Sequence, residues 1–259
     1  MKLSISNIAW DSQHDCDVYA YIQKAGFQGL EIAPSKLFGA KPYEELAKAY
    51  GFASEIRNKY NLCISSMQSI WYGKSESMYT DEGYAVLLQY TEQAILFAEA
   101  IDCPNLVFGC PRNRNLFKPE DEIKAIEFFK AVGDFAIKHG TVFALEANPT
   151  IYNTNFMNYT DSAVDMVKAV NSPGVKLNYD LGTVIQNQEN IGVALDNIDL
   201  INHIHISEPY LGLIQKRSQH KELLEALNSA GYDKFVSIEM KQQELSNVYM
   251  VVDYFGGLV

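Results

Sequence analysis

The sequence lacks a long apolar run and has few basic residues. No apolar run approaches the roughly 20 residues that a membrane-spanning helix requires, and the N-terminal KLSISNIAW enters a predicted strand without a signal peptide. The 21 Lys and Arg are outnumbered by 32 Asp and Glu, so the formal net charge is -11 at pH 7. Because nucleic-acid-binding surfaces depend on clustered Lys and Arg, we expect neither a membrane nor a nucleic acid as partner.

Cysteine is also scarce, and its spacing shows no metal-binding or redox motif. The four cysteines form no CxxC pair and stand among apolar neighbours; they are Cys16, Cys63, Cys103 and Cys110. This pattern favours buried free thiols and a cytoplasmic location, where thiols stay reduced. No GxGxxG motif follows the first predicted strand, which argues against an open, dinucleotide-binding sheet.

Short apolar runs alternate with helical segments along the whole chain. Eight runs have the length and composition of buried strands: residues 2–8, 27–33, 62–66 and 105–109, then TVFALEAN, GVKLNYDLG, INHIHISEP and KFVSIEMK. Helices are predicted at residues 15–26, 43–60, 80–101, 120–139, 161–170, 190–197 and 221–230, and a short tail ends the chain. The pattern predicts an α/β protein with one domain over residues 1–259, a single (β/α)8 TIM barrel. An open doubly wound sheet is the alternative.

Each of the last four apolar runs ends in a side chain that can bind a metal ion. These side chains are Glu146, Asp180, His205 and Glu239. The C-terminal ends of parallel barrel strands meet at one mouth, so the four side chains should lie together. A single Glu or Asp at a strand end is more often a helix cap or an ion-pair partner, and a single His is more often a core residue. Four of them on consecutive strands favour one divalent ion, such as Mn²⁺, Mg²⁺, Co²⁺ or Zn²⁺.

The alternation of side chains along the strands predicts a polar barrel interior. In the last strand Ser237, Glu239 and Lys241 share one face, and the opposite face is apolar. In the strand before it, His203 and His205 share a face in the same way. Burying a charge without a partner costs several kcal/mol of folding free energy. A polar barrel interior therefore indicates that these residues serve a function.

The last four predicted strands resemble a known family of barrels. The motifs are E-x-N at Glu146, D-L-G at Asp180, H-I-H-x-x-E around His205 and I-E-M at Glu239. Together they resemble the xylose isomerase-like barrel superfamily of sugar isomerases, epimerases and endonuclease IV-type enzymes. SISNIAW and GLEIAP look like that group's first two strands, so the resemblance covers nearly the whole chain. In its ketose 3-epimerase branch the four matching residues hold one divalent metal, and the two glutamates, here Glu146 and Glu239, are the catalytic acid–base groups.

Three positions depart from the pattern of that branch. Thr183 stands where His is usual, Leu211 stands where a substrate-binding Arg is often found, and Tyr152 replaces a common Glu. The resemblance therefore implies a retained metal core with a changed substrate shell.

The resemblance implies a metal-dependent sugar or sugar-phosphate isomerase or epimerase. A metal chelated by a carbonyl and the neighbouring hydroxyl stabilises the enediolate that forms when a carbon-bound proton leaves, and two flanking carboxylates can move that proton. The same site could dehydrate a keto-polyol, and a non-catalytic sugar-binding relative is a further alternative. The five histidines and the acidic balance disfavour an abasic-site endonuclease. Related barrels often pair, so a homodimer is one assembly that the resemblance allows.

Other side chains near the predicted rim are candidate substrate contacts. They are Arg112, Arg114, Lys241, Trp71, Asn148 and Glu31. The two arginines could bind an anionic group of the substrate or pair with nearby acids. Trp71 could stack on a sugar or pack in the core, and Glu31 could bind a ligand or brace the barrel.

Overall fold

Eight parallel strands close into a barrel in the order of the chain, which confirms the predicted fold. The computed structural model describes residues 1–259, apart from the side chain of Ala194. The strands are β1 Lys2–Ser6, β2 Gly29–Ile32, β3 Cys63–Met67, β4 Asn105–Phe108, β5 Val142–Glu146, β6 Val175–Asp180, β7 Ile201–Ile206 and β8 Phe235–Ile238. Pairing of β8 with β1, from Lys2 beside Phe235 to Ile5 beside Ile238, closes the sheet and rules out the open alternative.

Helices connect the strands, and every predicted helical segment has a counterpart. The helices are α1 Asp15–Lys24, α2 Pro34–Phe38, α3 Leu46–Tyr60, α4 Asp81–Ala100, α5 Asp121–Ala136, α6 Thr160–Val170, α7 Leu181–Asn187, α8 Gly192–Asp196, α9 Ser218–Ser229 and α10 Leu245–Gly256. The first predicted strand is too long, because residues Asn7–Ala9 form a 3-10 helix.

Three helices occupy segments that the sequence analysis assigned to loops or to a tail. The predicted C-terminal tail is wrong, since α10 buries Val248, Val251, Val252 and Phe255 at helical spacing. Helix α2 follows Pro34, a residue that favours the first turn of a helix. Helix α7 begins directly after β6, so one short segment changes from strand to helix at the barrel mouth.

Hydrogen-bonded polar side chains fill the lower interior of the barrel. Ser4 Oγ lies 2.6 Å from Ser65 Oγ across the barrel, and Asn105 Nδ2 donates to Ser66 Oγ over 2.9 Å. Apolar strand side chains such as Ile204 are fully buried in the apolar core. These four polar side chains inside the barrel thus find partners among themselves, as burial requires.

Helix α5 makes a close backbone contact with the turn before β6. A Cβ atom at Gly174 would lie 2.0 Å from the main-chain oxygen of Gly133, far inside van der Waals contact. Two glycines therefore set how closely α5 can pack against the barrel at this point.

The structure tests two further expectations. No helix in the described part of the chain is long and apolar enough to cross a bilayer. All four cysteines are free, as predicted, but only Cys103 is buried; Cys16 is exposed, and Cys63 and Cys110 are half-buried. The expectation of four buried thiols is therefore wrong, because α1 presents Cys16 on its outer face.

Candidate active site and metal centre

The four predicted metal ligands lie together at the C-terminal mouth of the barrel. Glu146 and Asp180 are the last residues of β5 and β6, His205 is the penultimate residue of β7, and Glu239 directly follows β8. A cavity of about 180 Å³ opens above them, and Glu146, Asp180 and Glu239 line it. The pairing of β5 to β8 brings these side chains together in the order that the sequence predicted.

Glu146 and Glu239 both approach the same nitrogen of His205. His205 Nδ1 lies 2.8 Å from Glu146 Oε1 and 3.2 Å from Glu239 Oε2. One donor atom from each of the three residues falls within 4.8 Å of the others, and all three side chains are buried. Two carboxylates and an imidazole nitrogen around one point are a donor set that suits a divalent ion. The residues present therefore fit the metal that the sequence analysis predicted.

Asp180 accepts hydrogen bonds from the first turn of α7 at the edge of the cavity. Its Oδ1 accepts hydrogen bonds from Gly182 N at 3.0 Å and from Ser207 Oγ at 2.7 Å. Its Oδ2 accepts from both Thr183 N and Thr183 Oγ1 at 3.0 Å. Asp180 thus caps α7. Thr183, at the position where the related branch usually has His, holds the Asp180 carboxylate through its main-chain N–H and its hydroxyl. A direct bond from Asp180 to a metal remains a prediction.

A buried layer under the site holds the ring of His205. Glu31 Oε2 lies 2.9 Å from His205 Nε2 and 3.0 Å from His203 Nε2, and Glu31 is fully buried. The carboxylate accepts the Nε2 proton of His205, which leaves Nδ1 facing the mouth. This placement corrects the assignment of Glu31 as a substrate contact, because no part of its side chain reaches the cavity. It supports the alternative that Glu31 braces the barrel.

Three amide side chains orient the two glutamates. Asn178 Nδ2 donates to Glu146 Oε1 over 2.6 Å, and Asn148 Nδ2 donates to Glu146 Oε2 over 3.1 Å. Gln68 Nε2 donates to Glu239 Oε1 over 2.9 Å. The sequence analysis proposed Asn148 as a site residue but gave no role to Asn178 or Gln68. The sequence feature that could have identified them is position: Asn178 is a polar residue on the inner face of β6, and Gln68 directly follows β3.

Burial and mutual charge shift the acid–base equilibria of the cluster. Burial raises the pKa of Glu239 to about 7, against the opposing effect of His205. Burial and the neighbouring Glu146 raise the pKa of Asp180 to about 6. Burial alone would lower the pKa of His205, but the surrounding carboxylates, Glu31 first, raise it well above its usual range. Burial would raise the pKa of Glu31, yet its contacts with His205 and His203 hold it below its usual range.

Two of the predicted substrate contacts are buried in the scaffold. The Arg114 guanidinium donates to the main-chain oxygens of Glu146 over 2.7 Å and of Met157 over 3.3 Å. The Trp71 indole donates to Thr91 Oγ1 over 2.8 Å. Arg114 is fully buried and Trp71 is 3% exposed, and neither lines this cavity. The structure therefore corrects the assignment of Arg114, whose side chain holds loops in place. Trp71 also packs in the scaffold, although it stands among the lining residues of a neighbouring cavity at the rim.

The other predicted contacts are accessible. Asn148 lines the cavity. Arg112 is exposed and lines a second cavity next to the first. Lys241 is exposed, and its main-chain N–H donates to Leu211 O over 2.9 Å. The expected inward position of Lys241 is not seen, because β8 ends at Ile238 and the alternation of a strand does not extend to Lys241.

Comparisons with solved structures find the same barrel in several proteins. The 3-keto-D-glucoside 4-epimerase YcjR from E. coli has a TM-score of 0.78 and 18% identity, over 100% of this chain and 98% of that chain. The D-psicose 3-epimerase from Clostridium cellulolyticum H10, crystallised with D-tagatose, has a TM-score of 0.77 and 19% identity, over 97% and 90%. An AP endonuclease, family 2, from Brucella melitensis has a TM-score of 0.76 and 20% identity, over 99% of both chains. At these identities the likeness shows the fold.

The sequence comparisons place the chain in a family. No curated protein matches the sequence. The profile of the xylose isomerase-like TIM barrel family matches residues 19–248, which is most of the chain. The chain therefore belongs to the xylose isomerase-like TIM barrel family.

Proposed function

We propose that the protein is a divalent-metal-dependent epimerase or isomerase of a sugar or sugar phosphate. One observation carries the proposal: Glu146 and Glu239 meet at His205 Nδ1, at 2.8 and 3.2 Å, and both line the same cavity at the barrel mouth. Two carboxylates that face one substrate are the groups needed to move a carbon-bound proton.

Glu146, His205 and Glu239 would hold the metal, with Asp180 as a further ligand. When bound, the ion supplies positive charge that polarises the substrate carbonyl and makes the neighbouring carbon-bound proton more acidic. The buried Glu31 keeps His205 Nδ1 turned toward this point, because it accepts the proton of the other ring nitrogen.

Proton transfer is assigned to the two glutamates. One carboxylate takes the proton from the carbon beside the carbonyl, and the other, protonated, returns a proton. Return to the opposite face of the same carbon gives an epimer. Return to the former carbonyl carbon gives an aldose–ketose isomer, provided that the neighbouring hydroxyl proton moves to the former carbonyl oxygen. Burial raises the pKa of the Glu239 carboxyl, the direction that suits a general acid–base group. Hydrogen bonds from Asn148, Asn178 and Gln68 fix the orientation of both carboxylates.

A keto-polyol dehydratase is the second candidate, because the same proton abstraction can lead to loss of a β-hydroxyl. The two reactions share their first step and differ in the product: a dehydratase releases water and leaves a new unsaturated carbonyl compound. Product analysis by NMR separates them once a substrate is known.

The experiment that tests the proposal is hydrogen exchange in deuterated water. Metal-loaded protein is incubated with a panel of ketoses, aldoses and their phosphates, and NMR records deuterium at the carbon beside the carbonyl. We expect exchange for at least one sugar and a loss of about a hundredfold or more in both Glu146→Gln and Glu239→Gln. Glu122→Gln, on the exposed surface of α5, is the matched control. Exchange that survives in both active-site variants would overturn the proposal, as would its absence across the panel.

A further inference from the structure

The acidic lining of the inner cavity favours an uncharged sugar ring as its ligand. Glu146, Asp180 and Glu239 line it, and no Lys or Arg stands among its described lining residues. One divalent cation would not fully neutralise the three carboxylates, so the site would carry no excess positive charge. A phosphate group in this cavity would face carboxylates at short range and find no basic partner.

A second cavity of about 540 Å³ adjoins the inner one. Ser69, Cys110 and Pro111 line both, so the two form one continuous opening at the rim. The outer cavity is formed by residues 69–75, which follow β3, and by residues 110–113, which follow β4. The inner cavity, at about 180 Å³, is smaller than the roughly 300–1,000 Å³ usual for drug-sized ligands. The outer cavity on its own falls within that range.

Buried hydrogen bonds hold the walls of the outer cavity. Asn113 Nδ2 donates to the main-chain oxygens of Lys74 and Glu76, over 3.2 and 3.0 Å, and so ties the two loops together. The buried indole of Trp71 donates to Thr91 on α4, and the Tyr43 hydroxyl donates to Ile70 O over 2.8 Å. Hydrogen bonds therefore fix the loops that form the outer cavity.

The outer walls carry the groups that recognise a sugar ring. Tyr72 is 71% exposed and lines this cavity, although the residue before it is buried. An exposed aromatic face packs well against the C–H face of a pyranose, and Arg112 beside it offers hydrogen-bond donors for hydroxyl groups. Lys74 places its ammonium 4.0 Å from the centre of the Tyr90 ring, so its charge already has an aromatic partner.

We propose that the outer cavity is a subsite for a second sugar ring, so that the substrate is a glycoside whose reacting ring, the one that carries the carbonyl, enters the inner cavity. This proposal rests on the proposed function, because it assumes that the inner cavity holds the reacting ring. It predicts that the protein prefers a disaccharide to a free monosaccharide or a hexose phosphate.

The test compares ligand binding, which requires no turnover. Metal-loaded protein is titrated with glucose and fructose, with cellobiose, maltose and sucrose, and with the corresponding hexose phosphates, and affinities are measured by ligand-observed NMR. We expect at least one disaccharide to bind about tenfold more tightly than its component monosaccharides. Tyr72→Ala should reduce that ratio by roughly fivefold to tenfold through loss of the stacked ring. Tyr50→Ala, which removes a 65% exposed tyrosine on α3, is the matched control.

The outcomes separate this inference from the proposed function. If monosaccharides bind and exchange hydrogen but no disaccharide binds more tightly, the glycoside subsite is overturned and the proposed function stands. Tighter binding of a hexose phosphate would overturn the subsite as well, and would assign Arg112 to the phosphate. Equal weakening of mono- and disaccharide by Tyr72→Ala would also contradict it. Absence of binding and of exchange for every sugar would overturn both.

Discussion

Glu31 decides which nitrogen of His205 faces the mouth of the barrel. Its Oε2 atom contacts His205 Nε2 at 2.9 Å from within the core, and Nδ1 is left between Glu146 and Glu239. A neutral imidazole binds a metal through the nitrogen that carries no proton, so a carboxylate on the far side sets both the tautomer and the ring angle. Glu31 is thus a positioning residue for His205, a proposed metal ligand.

Glu31→Gln should weaken the metal site without removing any ligand. We expect the affinity for Mn²⁺ to fall about tenfold to a hundredfold, because an amide holds the Nε2 proton less strongly than a carboxylate does. Isothermal titration calorimetry measures the affinity, and ¹⁵N NMR of the histidine rings reports a change in the His205 tautomer. Glu225→Gln, on the exposed surface of α9, is the control. Unchanged Mn²⁺ affinity in Glu31→Gln would show that Glu31 does not position His205.

The sequence allowed the strand-end residues to be predicted better than the loop residues. Glu146, His205 and Glu239 could be placed together because alternation along a strand fixes the face on which each side chain lies. Arg114 and Trp71 could not, since a loop after a strand has no period that tells whether a side chain turns inward or outward. The structure shows both turned into the scaffold. Gln68 escaped notice for the same reason, although it directly follows β3.

Among the elements, the contact between α5 and β6 depends on two glycines. Gly133 lies on α5 and Gly174 precedes β6, and a Cβ atom at Gly174 would lie 2.0 Å from the oxygen of Gly133. Because both groups belong to the backbone, the clash can be relieved only by moving the helix away from the barrel.

Gly174→Ala should therefore lower the free energy of unfolding by about 2–4 kcal/mol. The matched change is Gly51→Ala within α3, where a Cβ atom would meet nothing within 4 Å. That change should raise stability by about 0.5–1 kcal/mol, because alanine costs less conformational entropy in a helix. Urea unfolding followed by circular dichroism measures both. Similar stability of the two variants would contradict the close contact.

Helices α9 and α10 meet at a buried histidine whose charge state should affect stability. His220 is fully buried, lies against Phe255, and has its Nδ1 atom 3.3 Å from the Tyr254 hydroxyl. Burial lowers its pKa to about 4. The unfolded chain takes up a proton below about pH 6.5, whereas the folded protein does so only near pH 4. The contribution of neutral His220 to stability is therefore complete above pH 6.5 and is lost as the pH falls toward 4.

His220→Gln should remove this part of the pH dependence. Between pH 6.5 and 4 the free energy of unfolding of the parent should fall more steeply than that of the variant, by up to about 1.4 kcal/mol per pH unit. Urea titrations at several pH values measure both slopes. His14→Gln, at a partly exposed position, should keep the slope of the parent. Equal slopes in the parent and His220→Gln would contradict the burial of a neutral imidazole.

The hydrophobic periodicity of the sequence is sufficient to predict helix α10 but not helix α7. The valines of α10 follow the same helical spacing that identifies α4 and α5, so this helix, and not a tail, is what the sequence should predict. Helix α7 is harder to predict, since it starts without a loop after β6 and depends on the Asp180 cap. The register shift between Leu177 and Asn178, where β6 pairs with β7, has no sequence signature either.

For the whole molecule, eight strand–helix units were enough to predict closure of the barrel. The family profile and the structural neighbours agree with that fold. The three neighbours described above share 18% to 20% identity with this chain and include an endonuclease beside two epimerases, so the fold alone does not select the reaction. The proposed chemistry depends on the side chains at the mouth, and chiefly on whether they hold a metal.

The proposed chemistry requires that the intact protein bind a divalent metal ion, which can be measured without a substrate. Purified parent protein and a Glu146→Gln, His205→Asn double variant are stripped, reloaded with Mn²⁺, Co²⁺, Zn²⁺ or Mg²⁺, and compared by elemental analysis after removal of free metal, with Mg²⁺ measured by titration at equilibrium. We expect about one equivalent of metal in the parent and a loss of nearly all of it in the variant, because two of three clustered donors are gone. Absence of binding by the reloaded parent, or equal binding by both proteins, would contradict it.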